Sequence, residues 1–558
     1  MSGSPSPDYR VRFERPRESW FLGWGYYLYL VVLLPFMAWR ATIVNWHIWL
    51  GPVALAADLF AAIMFMFFLG FTRYLYLPVH RPADPWARTV DCLIPTHTEP
   101  VSVIEPTVLA ALRVRGIRRV LVLGNSDRPE VRAMATRLGA EYHARNSNAN
   151  GKAGNLNNGL SLTEAEFVLT MDADHMALPQ ILERTMGYFD DPSVAFVQTP
   201  QSFHNTKTLL FRRAYGEEAR WSESNVFYKT ILPAKNGCNA SIYVGTSAVL
   251  RRAALDDVGG FATGTVTEDI HTSLRMHANG WRSVFVPEPQ AFGLEAQSLK
   301  EFYAQRRRWA IGALTLLLRS PDSPLRRRGL TLRQRLSYVD STMSHLGGLQ
   351  RLIHFMLPAL TIFLLGSPVV IPFALYGLIF VCYFVVSFTM VAVYSRGTYH
   401  FLHSDAYSLA NLVAQVSALP GLVRRARRQN AARKDAPHRE RTTVKSVLWL
   451  LGLTALAGVA DGLYRYTSGD HSWLVIMATF WGVVNSVWMW WLLGYLEVYE
   501  RRPAGADADA DALTALDRYE LIVERFGRPA ELPVGAASPA AAPGAILHNG
   551  TVTNGEMR

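Results

Sequence analysis

Two aspartates, Asp172 and Asp174, directly follow an apolar run that is typical of a buried β-strand, Phe167–Met171. Two carboxylates separated by one residue can bind one hard cation, such as Mg²⁺ or Mn²⁺, together with a diphosphate that the cation neutralises. The same spacing also occurs in ordinary turns at strand ends. The pair alone therefore leaves a metal site and a structural turn both open.

A second acidic segment, Thr267-Glu268-Asp269, follows a glycine-rich loop and begins a helical pattern. Thr267 can cap the helix, and the helix dipole favours acidic side chains in the first turn. The alternative is catalytic, with Asp269 as the general base that takes a proton from an acceptor hydroxyl.

Two further segments combine basic and polar residues near predicted helices. In Gln305-Arg-Arg-Arg-Trp309, a spacing of four places the first and last residues on one helix face, with Arg308 near it. Such a tryptophan can stack on a sugar while arginine holds a diphosphate, although a basic helix at a membrane surface has the same pattern. In Asn150–Asn157, Lys152 and backbone amides could bind phosphate, or the segment is a loop and helix cap.

The elements that must position these residues alternate between strand-like and helix-like patterns. The predicted strands are Val90–Ile94, Val120–Leu123, Phe167–Met171 and Ala195–Val197, and the predicted helices include Ile104–Val114 and Pro129–Leu138. This alternation predicts an α/β domain with a mostly parallel sheet and helices on both faces. Ligands of such sheets bind beyond the carboxyl ends of the strands, which is where Asp172 and Asp174 fall.

Apolar stretches on both sides of this region predict a membrane protein. Of the 558 residues, 50% are hydrophobic and 18% are charged, against about 25% charged in soluble domains. Asp58, within the second stretch, is either a functional intramembrane carboxylate or a group turned toward a neighbouring helix or channel wall. The six stretches, compared with the roughly 20 residues that span a bilayer, are Trp20–Trp39, Leu50–Phe71, Leu352–Gly366, Val369–Tyr394, Val444–Tyr464 and Ser472–Tyr495.

The net charge of +11 is explained by membrane topology rather than by nucleic-acid binding. Arginines cluster beside the apolar stretches, at Arg10–Arg17 and Arg424–Lys434, which is the positive-inside pattern. With six spans, both termini and the soluble region lie on one side, predicted to be the cytoplasmic face of the inner (plasma) membrane. The three cysteines have no metal-ligand spacing, and they support neither a disulfide framework nor a zinc site.

Taken together and in this order, the motifs resemble those of the processive family-2 glycosyltransferases of the cellulose-synthase type. The resemblance runs from about Trp20 to Arg501, and it implies a GT-A fold and an inverting, one-step transfer from a UDP-sugar to a growing polysaccharide. The matching segments are Ile94-Pro-Thr-His-Thr-Glu-Pro100, Lys152-Ala-Gly-Asn-Leu-Asn157, Asp172-Ala-Asp174, Val197-Gln-Thr-Pro200, Thr267-Glu-Asp269 and Gln305-Arg-Arg-Arg-Trp309.

The resemblance also implies a role for each matching residue. Asp174 would bind Mg²⁺ or Mn²⁺ on the diphosphate, and Asp269 would be the catalytic base. Residues implied on the donor side are Thr96, Glu99, Asp127, Lys152, Asp172, Gln305 and Arg308. Residues implied on the acceptor side are Trp309, Tyr243, Gly245, Thr246 and Glu268.

The sequence departs from the family pattern at several places. Gly124-Asn-Ser-Asp127 stands where the family usually has two adjacent aspartates and a glycine, so the uridine contacts are left open. In Ile242-Tyr-Val-Gly-Thr246, Val244 replaces the family's cysteine, which leaves the linkage open. The gating loop is degenerate around Arg441–Lys445, and no cyclic-di-GMP-binding motif is found after the last span, so direct stimulation by that nucleotide is not expected.

The sequence thus predicts five regions. They are a cytoplasmic N-terminal segment (1–19), two membrane helices (20–71), a cytoplasmic GT-A domain (72–338), interfacial and four membrane helices forming a polymer channel (339–500), and a partly disordered tail containing one amphipathic helix (501–558). The predicted product is a β-1,4, β-1,3 or mixed-linkage glucan from UDP-glucose. The alternatives are an amino-sugar polymer from UDP-GlcNAc, a lipid-linked sugar made without processivity, and a transporter or receptor with a nucleotide-binding domain. Any accessory secretion subunit is left open.

Overall fold

The computed structural model describes residues 10–17, 19–204, 223–296, 298–371, 373–423, 439–501 and 514–527. The strands found in these ranges are β1 (Phe13–Glu14), β2 (Leu77–Pro78), β3 (Val90–Thr96), β4 (Ile117–Gly124), β5 (Glu141–Ala144), β6 (Phe167–Thr170), β7 (Met176–Ala177), β8 (Val194–Gln198), β9 (Ser202–Phe203), β10 (Ala248–Arg251), β11 (Arg282–Phe285) and β12 (Ala291–Gly293).

The α-helices of the same ranges lie within the α/β region, across the apolar stretches and in the tail. They are α1 (Ser19–Thr42), α2 (Leu50–Thr72), α3 (Val101–Leu112), α4 (Pro129–Leu138), α5 (Gly151–Ser161), α6 (Ile181–Thr185), α7 (Glu223–Val226), α8 (Leu232–Asn236), α9 (Arg252–Asp257), α10 (Glu268–Ala278), α11 (Leu299–Leu318), α12 (Leu332–Met343), α13 (Gly347–Leu364), α14 (Phe373–Tyr394), α15 (Phe401–Val423), α16 (Arg439–Thr467), α17 (Trp473–Arg501) and α18 (Ala515–Phe526).

A seven-stranded sheet forms the centre of the α/β region, in the order β11-β8-β10-β6-β3-β4-β5. Neighbouring strands are parallel except at β10, which runs antiparallel to both β6 and β8. The four predicted strands correspond to β3, β4, β6 and β8, so the mostly parallel sheet is confirmed. The antiparallel β10 was not predicted, because an apolar run does not reveal the direction of its strand.

Alternate residues of the strands face two hydrophobic cores. In β3, Cys92 and Ile94 pack with residues of α3 and α4, whereas Leu93 packs with residues of α5. Side chains alternate between the two faces of a strand, so a sheet that is covered on both faces has continuously apolar strands. This explains the apolar runs in the sequence and confirms helices on both faces.

Six helical segments of the described residues are long and apolar enough to cross a bilayer, and the chain is a multi-pass membrane protein. Each corresponds to one predicted span. The third is longer than predicted because α12 continues through a short 3-10 turn into α13. The six segments are Phe21–Thr42, Leu50–Thr72, Leu332–Leu364, Leu375–Tyr394, Val444–Thr467 and Trp473–Glu497.

Another long helix, α15, lies where the sequence predicted interfacial helices. It packs against both α11 and α13, and the Tyr303 hydroxyl of α11 donates to the Ser417 hydroxyl of α15 at 2.8 Å. Polar residues such as Asp405 and Gln415 interrupt its apolar surface. Through α15, the α/β region rests on the membrane-type helices.

The intramembrane Asp58 of α2 is paired with side chains of neighbouring helices. Its carboxylate lies 2.9 Å from Arg40 Nε of α1 and 2.9 Å from His354 Nε2 of α13. Arg40 is almost completely buried. The structure thus supports the interpretation of Asp58 as a carboxylate turned toward its helix neighbours, since a buried charge needs such partners.

The amphipathic helix predicted in the tail is α18. Its Tyr519 and Ile522 are buried against α3 and against Met176, which follows Asp174 by two residues. The segment Arg441–Lys445, where a degenerate gating loop was expected, belongs to the first turns of α16. The tail beyond Gly527 and the basic segment Arg424–Lys434 lie outside the described residues.

Candidate active site

The Asp-Ala-Asp segment lies just beyond β6, at the carboxyl edge of the central sheet. The backbone N–H of Asp172 donates to the Thr246 hydroxyl at 2.9 Å. Thr246 lies two residues before the first residue of the antiparallel strand β10. This bond therefore joins the end of β6 to the start of its neighbour β10. Both carboxylates are partly exposed, at 31% for Asp172 and 34% for Asp174.

Lys152 links the two acidic segments. Its Nζ lies 2.6 Å from Asp172 Oδ1 and 3.7 Å from Glu268 Oε1, and it donates to the Gly245 carbonyl at 2.9 Å. Burial alone would lower the pKa of Lys152, but the two carboxylates outweigh burial and raise it. Lys152 therefore stays positively charged at the start of α5, next to the candidate donor residues.

Gly245 leaves an open position between these charges. Its φ is +90°, a conformation that glycine adopts readily. A Cβ added there would lie 3.0 Å from Lys152 Nζ and 3.4 Å from Asp269 Oδ2. The completely buried Tyr243 donates to the Gly245 carbonyl at 3.1 Å. It therefore stabilises the backbone at Gly245 and exposes no surface of its own to a ligand.

Asp269 lies in the first turn of α10, where the Ile270 N–H donates to its Oδ1 at 2.8 Å. Burial and the neighbouring Glu268 raise the pKa of Asp269 to about 7, although Lys152 and backbone hydrogen bonds oppose the shift. A carboxyl with this pKa can accept a proton near neutral pH and release it again. The arrangement thus suits a general base.

Helix α11 brings the Gln-Arg-Arg-Arg-Trp segment to the start of α10. A Cβ added at Gly312 would lie 2.5 Å from the side chain of Thr267, so a side chain at this crossing would collide. Trp309 precedes Gly312 by three residues and therefore lies on a similar face of the helix. The crossing places the candidate acceptor platform close to the helix that carries Asp269.

Arg306, to which the sequence analysis assigned no role, lies over the Trp309 ring. The Arg306 guanidinium carbon lies 4.4 Å from the Trp309 ring centroid and 5.1 Å from that of Tyr407 in α15. Gln305 is half-buried, and Arg308 is exposed. Arg306 and Trp309 are three residues apart, a spacing that makes them neighbours on a helix. The sequence of three consecutive arginines nevertheless gave no reason to expect Arg306, rather than another arginine, to contact the ring.

Asp172, Asp174 and His175 form a group whose ligand atoms all lie within 4.8 Å of one another. Carboxylate oxygens are the ligands that Mg²⁺ and Mn²⁺ prefer, so the residues fit a divalent cation. The His175 Nδ1 lies 2.8 Å from Asp174 Oδ1, which engages this nitrogen with the carboxylate. The sequence analysis missed His175, although it directly follows the second aspartate.

Thr96, Glu99 and Asp127 lie at the ends of β3 and β4. The buried Thr96 hydroxyl donates to the Leu123 carbonyl at 3.1 Å. A Glu99 oxygen accepts from the His97 N–H at 2.7 Å. Asp127 forms a 2.7 Å ion pair with Arg132 in which both side chains are about half exposed. Thr96 thus contacts the end of β4, and Asp127 contacts Arg132 on the surface.

The altered Gly124–Asp127 segment has a structural explanation. A Cβ added at Gly124 would lie 2.4 Å from the Tyr142 hydroxyl. That hydroxyl donates to the Ser126 carbonyl at 2.8 Å and accepts from the Arg128 N–H at 3.1 Å. The phenol of β5 therefore occupies the space that a carboxylate side chain at residue 124 would need.

Comparison with known proteins agrees with this geometry. Residues 167–395 match the family described as "Glycosyl transferase family group 2". This range of the chain is thus similar to the domains of family-2 glycosyltransferases. The matched range starts at the strand before Asp172 and includes Asp269 and Trp309. The predicted resemblance and the glycosyltransferase class are confirmed for this matched range, and the predicted α/β fold with a mostly parallel sheet is confirmed by the strand order.

Over part of its length, the chain is also similar to bacterial cellulose synthases. The chain is 36% identical over 349 residues to "Cellulose synthase 1" of Komagataeibacter xylinus, which covers 60% of this chain and 22% of the relative. It is 36% identical over 315 residues to the "Cellulose synthase catalytic subunit [UDP-forming]" of Xanthomonas axonopodis pv. citri (strain 306), covering 54% and 42%. The chain thus spans less than half the length of these curated relatives.

Among solved structures, the chain is similar to one titled "Mannosyltransferase PcManGT from Pyrobaculum calidifontis in complex with GDP-Man and Mn2+". It is 19% identical, with a TM-score of 0.48, and covers 66% of this chain and 98% of that structure.

Proposed function

We propose that the chain is a processive, inverting glycosyltransferase that polymerises a β-glucan from UDP-glucose with Mg²⁺ or Mn²⁺. The observation that carries this proposal is the convergence of Lys152, Asp172 and Asp269 around Gly245. Lys152 and Asp172 suit a sugar donor, and Asp269 suits an acceptor. These groups flank Gly245, which has no side chain. The similarity to proteins named cellulose synthases supports a glucan as the product.

The proposed reaction has one chemical step. An acceptor hydroxyl oxygen forms a bond to the anomeric carbon of the donor glucose, on the face opposite UDP. The bond from that carbon to the phosphate oxygen breaks, and its electron pair leaves with UDP. Asp269 receives the hydroxyl proton as general base. Attack on the opposite face converts an α-linked donor into a β-linked product.

The donor side is assigned to residues that can hold a charged diphosphate. Lys152 is a fixed ammonium group beside Asp172, and Asp172 and Asp174 would hold the divalent cation. When bound, this cation supplies positive charge to the diphosphate leaving group. Trp309, on a helix that reaches the start of α10, would lie beneath the terminal sugar of the acceptor.

We further propose that the polymer crosses the membrane through the same chain, with the family-2 domain on the cytoplasmic side of the inner membrane. A polar glucan cannot cross hydrocarbon unaided and needs a path lined by protein groups. Helix α11 packs on α15, which contacts α13. On α17, Trp488, Trp491 and Tyr495 form a stacked row with centroids 5.2 and 5.8 Å apart, which suits sugar rings.

The test of the transferase is a product analysis with the purified full-length chain. UDP-glucose and Mn²⁺ should yield UDP and a glucose polymer that a β-glucanase degrades, and β-1,4- and β-1,3-specific enzymes identify the linkage. Asp269→Asn is the matched inactive control. Polymer formed from UDP-GlcNAc but not from UDP-glucose would refute the glucan, and UDP release without any polymer would refute the polymerase.

A further inference from the structure

A line of three hydrogen bonds runs from the candidate metal ligand Asp174 to a tyrosine on another element. Asp174 Oδ1 lies 2.8 Å from His175 Nδ1. His175 Nε2 lies 3.0 Å from Gln201 Nε2. The Tyr228 hydroxyl donates to Gln201 Oε1 at 3.2 Å. No motif of the sequence analysis included Gln201 or Tyr228.

The chemistry of the four groups determines which atom donates in each of the three hydrogen bonds. An ionised carboxylate only accepts hydrogen bonds, so His175 donates from Nδ1 to Asp174. In the neutral imidazole, Nε2 then accepts, and the Gln201 amide nitrogen donates to it. The Gln201 oxygen faces the Tyr228 hydroxyl, which donates. Each group therefore fixes the tautomer or amide orientation of the next.

Tyr228, at the far end of the line, lies buried in a helical turn. It is buried, and it belongs to a π-helical turn, Phe227–Ile231, between α7 and α8. Such turns are rare and frequently mark functional sites. Burial raises the pKa of Tyr228, Asp269 and Asp172 raise it further, and Arg306 opposes the shift. Burial therefore favours the neutral phenol, which donates to Gln201.

The middle of the line is packed tightly. His175 is almost completely buried. A Cβ added at Gly293 of β12 would lie 2.2 Å from the His175 ring, so the strand backbone presses against the imidazole. The Phe203 ring meets the same imidazole edge-on, with centroids 6.3 Å apart. With the ring held this way, the hydrogen bond from Gln201 selects the His175 tautomer that donates to Asp174.

We propose that Tyr228 is a positioning residue that, through Gln201 and His175, orients Asp174 for a divalent cation. The inference rests on the proposed function, because that function assigns the cation to Asp174. It adds to that function by linking the cation ligand to a buried residue on another element of the chain, Tyr228. The line would keep the Asp174 carboxylate in one orientation before the donor binds.

The test measures Mn²⁺ binding directly on the full-length protein, by electron paramagnetic resonance titration in the presence of UDP. Tyr228→Phe keeps the ring and removes the donor. Loss of one hydrogen bond should raise the Mn²⁺ concentration for half-saturation about three- to tenfold. Gln201→Leu interrupts the line at its centre and should raise it at least as far. The same shift should appear in the Mn²⁺ dependence of UDP release.

Tyr338→Phe is the matched control. Tyr338 is completely buried, and its hydroxyl lies 2.7 Å from His277 Nδ1, so the variant also loses a buried hydrogen bond to a histidine. It should bind Mn²⁺ as the wild type does. Thermal unfolding of each variant shows whether a loss of binding comes from a loss of fold.

The outcomes separate this inference from the function on which it rests. Folded Tyr228→Phe and Gln201→Leu variants with wild-type Mn²⁺ titrations would refute the positioning line alone. Equal shifts in Tyr338→Phe would also refute it, because the effect would not be specific to the line. If the Asp174→Ala variant binds Mn²⁺ as tightly as the wild type does, the assignment of the cation to Asp174 is refuted, and with it both proposals.

Discussion

The pH dependence of the proposed reaction should reveal Asp269. Burial and Glu268 raise the pKa of Asp269 to about 7. A base must be deprotonated to accept a proton, so activity should be present above this pKa and lost as the pH falls through it. At pH 6 about one tenth of the enzyme would be competent, and at pH 5 about one hundredth. An ordinary aspartate, with a pKa of about 4, would cause no such loss.

The acid limb of the pH profile is the range over which activity falls as the pH decreases. Removing each charge next to Asp269 should move this limb in a known direction. Glu268→Gln removes a negative charge that raises the pKa of Asp269, so the limb should move to lower pH. Lys152→Gln removes a positive charge that lowers the pKa, so the limb should move to higher pH. Both variants can also lower the maximal rate, but the position of the limb does not depend on that maximum.

The assay is UDP release at saturating UDP-glucose between pH 5 and 9, with each profile normalised to its own plateau. Glu164→Gln, which removes an exposed carboxylate before β6, is the matched control and should leave the limb unchanged. A wild-type profile that stays flat down to pH 5, or identical limbs in all variants, would show that Asp269 is not the base whose ionisation limits the rate.

Three further changes have expected outcomes. Asp269→Asn should keep the fold and UDP binding but lower turnover about 10²- to 10⁴-fold, and more than about a tenth of wild-type turnover would contradict the assignment. Asp174→Ala, or EDTA added to the wild type, should abolish transfer, whereas full activity in excess EDTA would make the aspartates a structural turn. Gly312→Ala forces a Cβ against Thr267 and should lower both stability, by about 1–3 kcal/mol, and turnover. Gly494→Ala, where nothing lies within 4 Å, should change neither, and equal effects in the two would refute the helix crossing.

Much of the fold could be predicted because its elements are defined by local patterns. Buried strands such as β3 are continuously apolar, and membrane helices are long apolar stretches, so both stand out in the sequence. The helix Pro129–Leu138 was predicted with the bounds that the structure has, since proline begins it and glycine follows it. The direction of β10 could not be predicted, because it depends on which neighbours the strand pairs with.

Within the candidate site, the sequence revealed the charged residues but not the groups that orient them. Asp172, Lys152 and Asp269 stood out because acidic and basic residues followed strand ends or opened helices. Gln201 and Tyr228 stood out in no pattern, because a glutamine and a tyrosine in mixed sequence have no characteristic spacing. The importance of Gly312 also depends on a residue 45 positions earlier in the chain, Thr267.

The departures from the family pattern show the same limit. The loss of the aspartate pair at Gly124 left the nucleotide contacts open, and only the position of the Tyr142 hydroxyl explains why a side chain is not accommodated there. Likewise, the position of Arg306 over Trp309 and Tyr407 depends on how α11 packs against α15. Both depend on contacts between elements that are distant in sequence.

The measurement that tests the central claim most directly is the length and location of the product at low donor conversion. The purified chain is reconstituted into sealed vesicles, and those with the family-2 domain outward are given radiolabelled UDP-glucose and Mn²⁺ outside. When only a small fraction of the donor has been consumed, we predict long glucan chains that resist external β-glucanase until detergent opens the vesicles. Short, evenly growing oligomers, or polymer that is fully digested in intact vesicles, would contradict processive synthesis or its coupling to translocation.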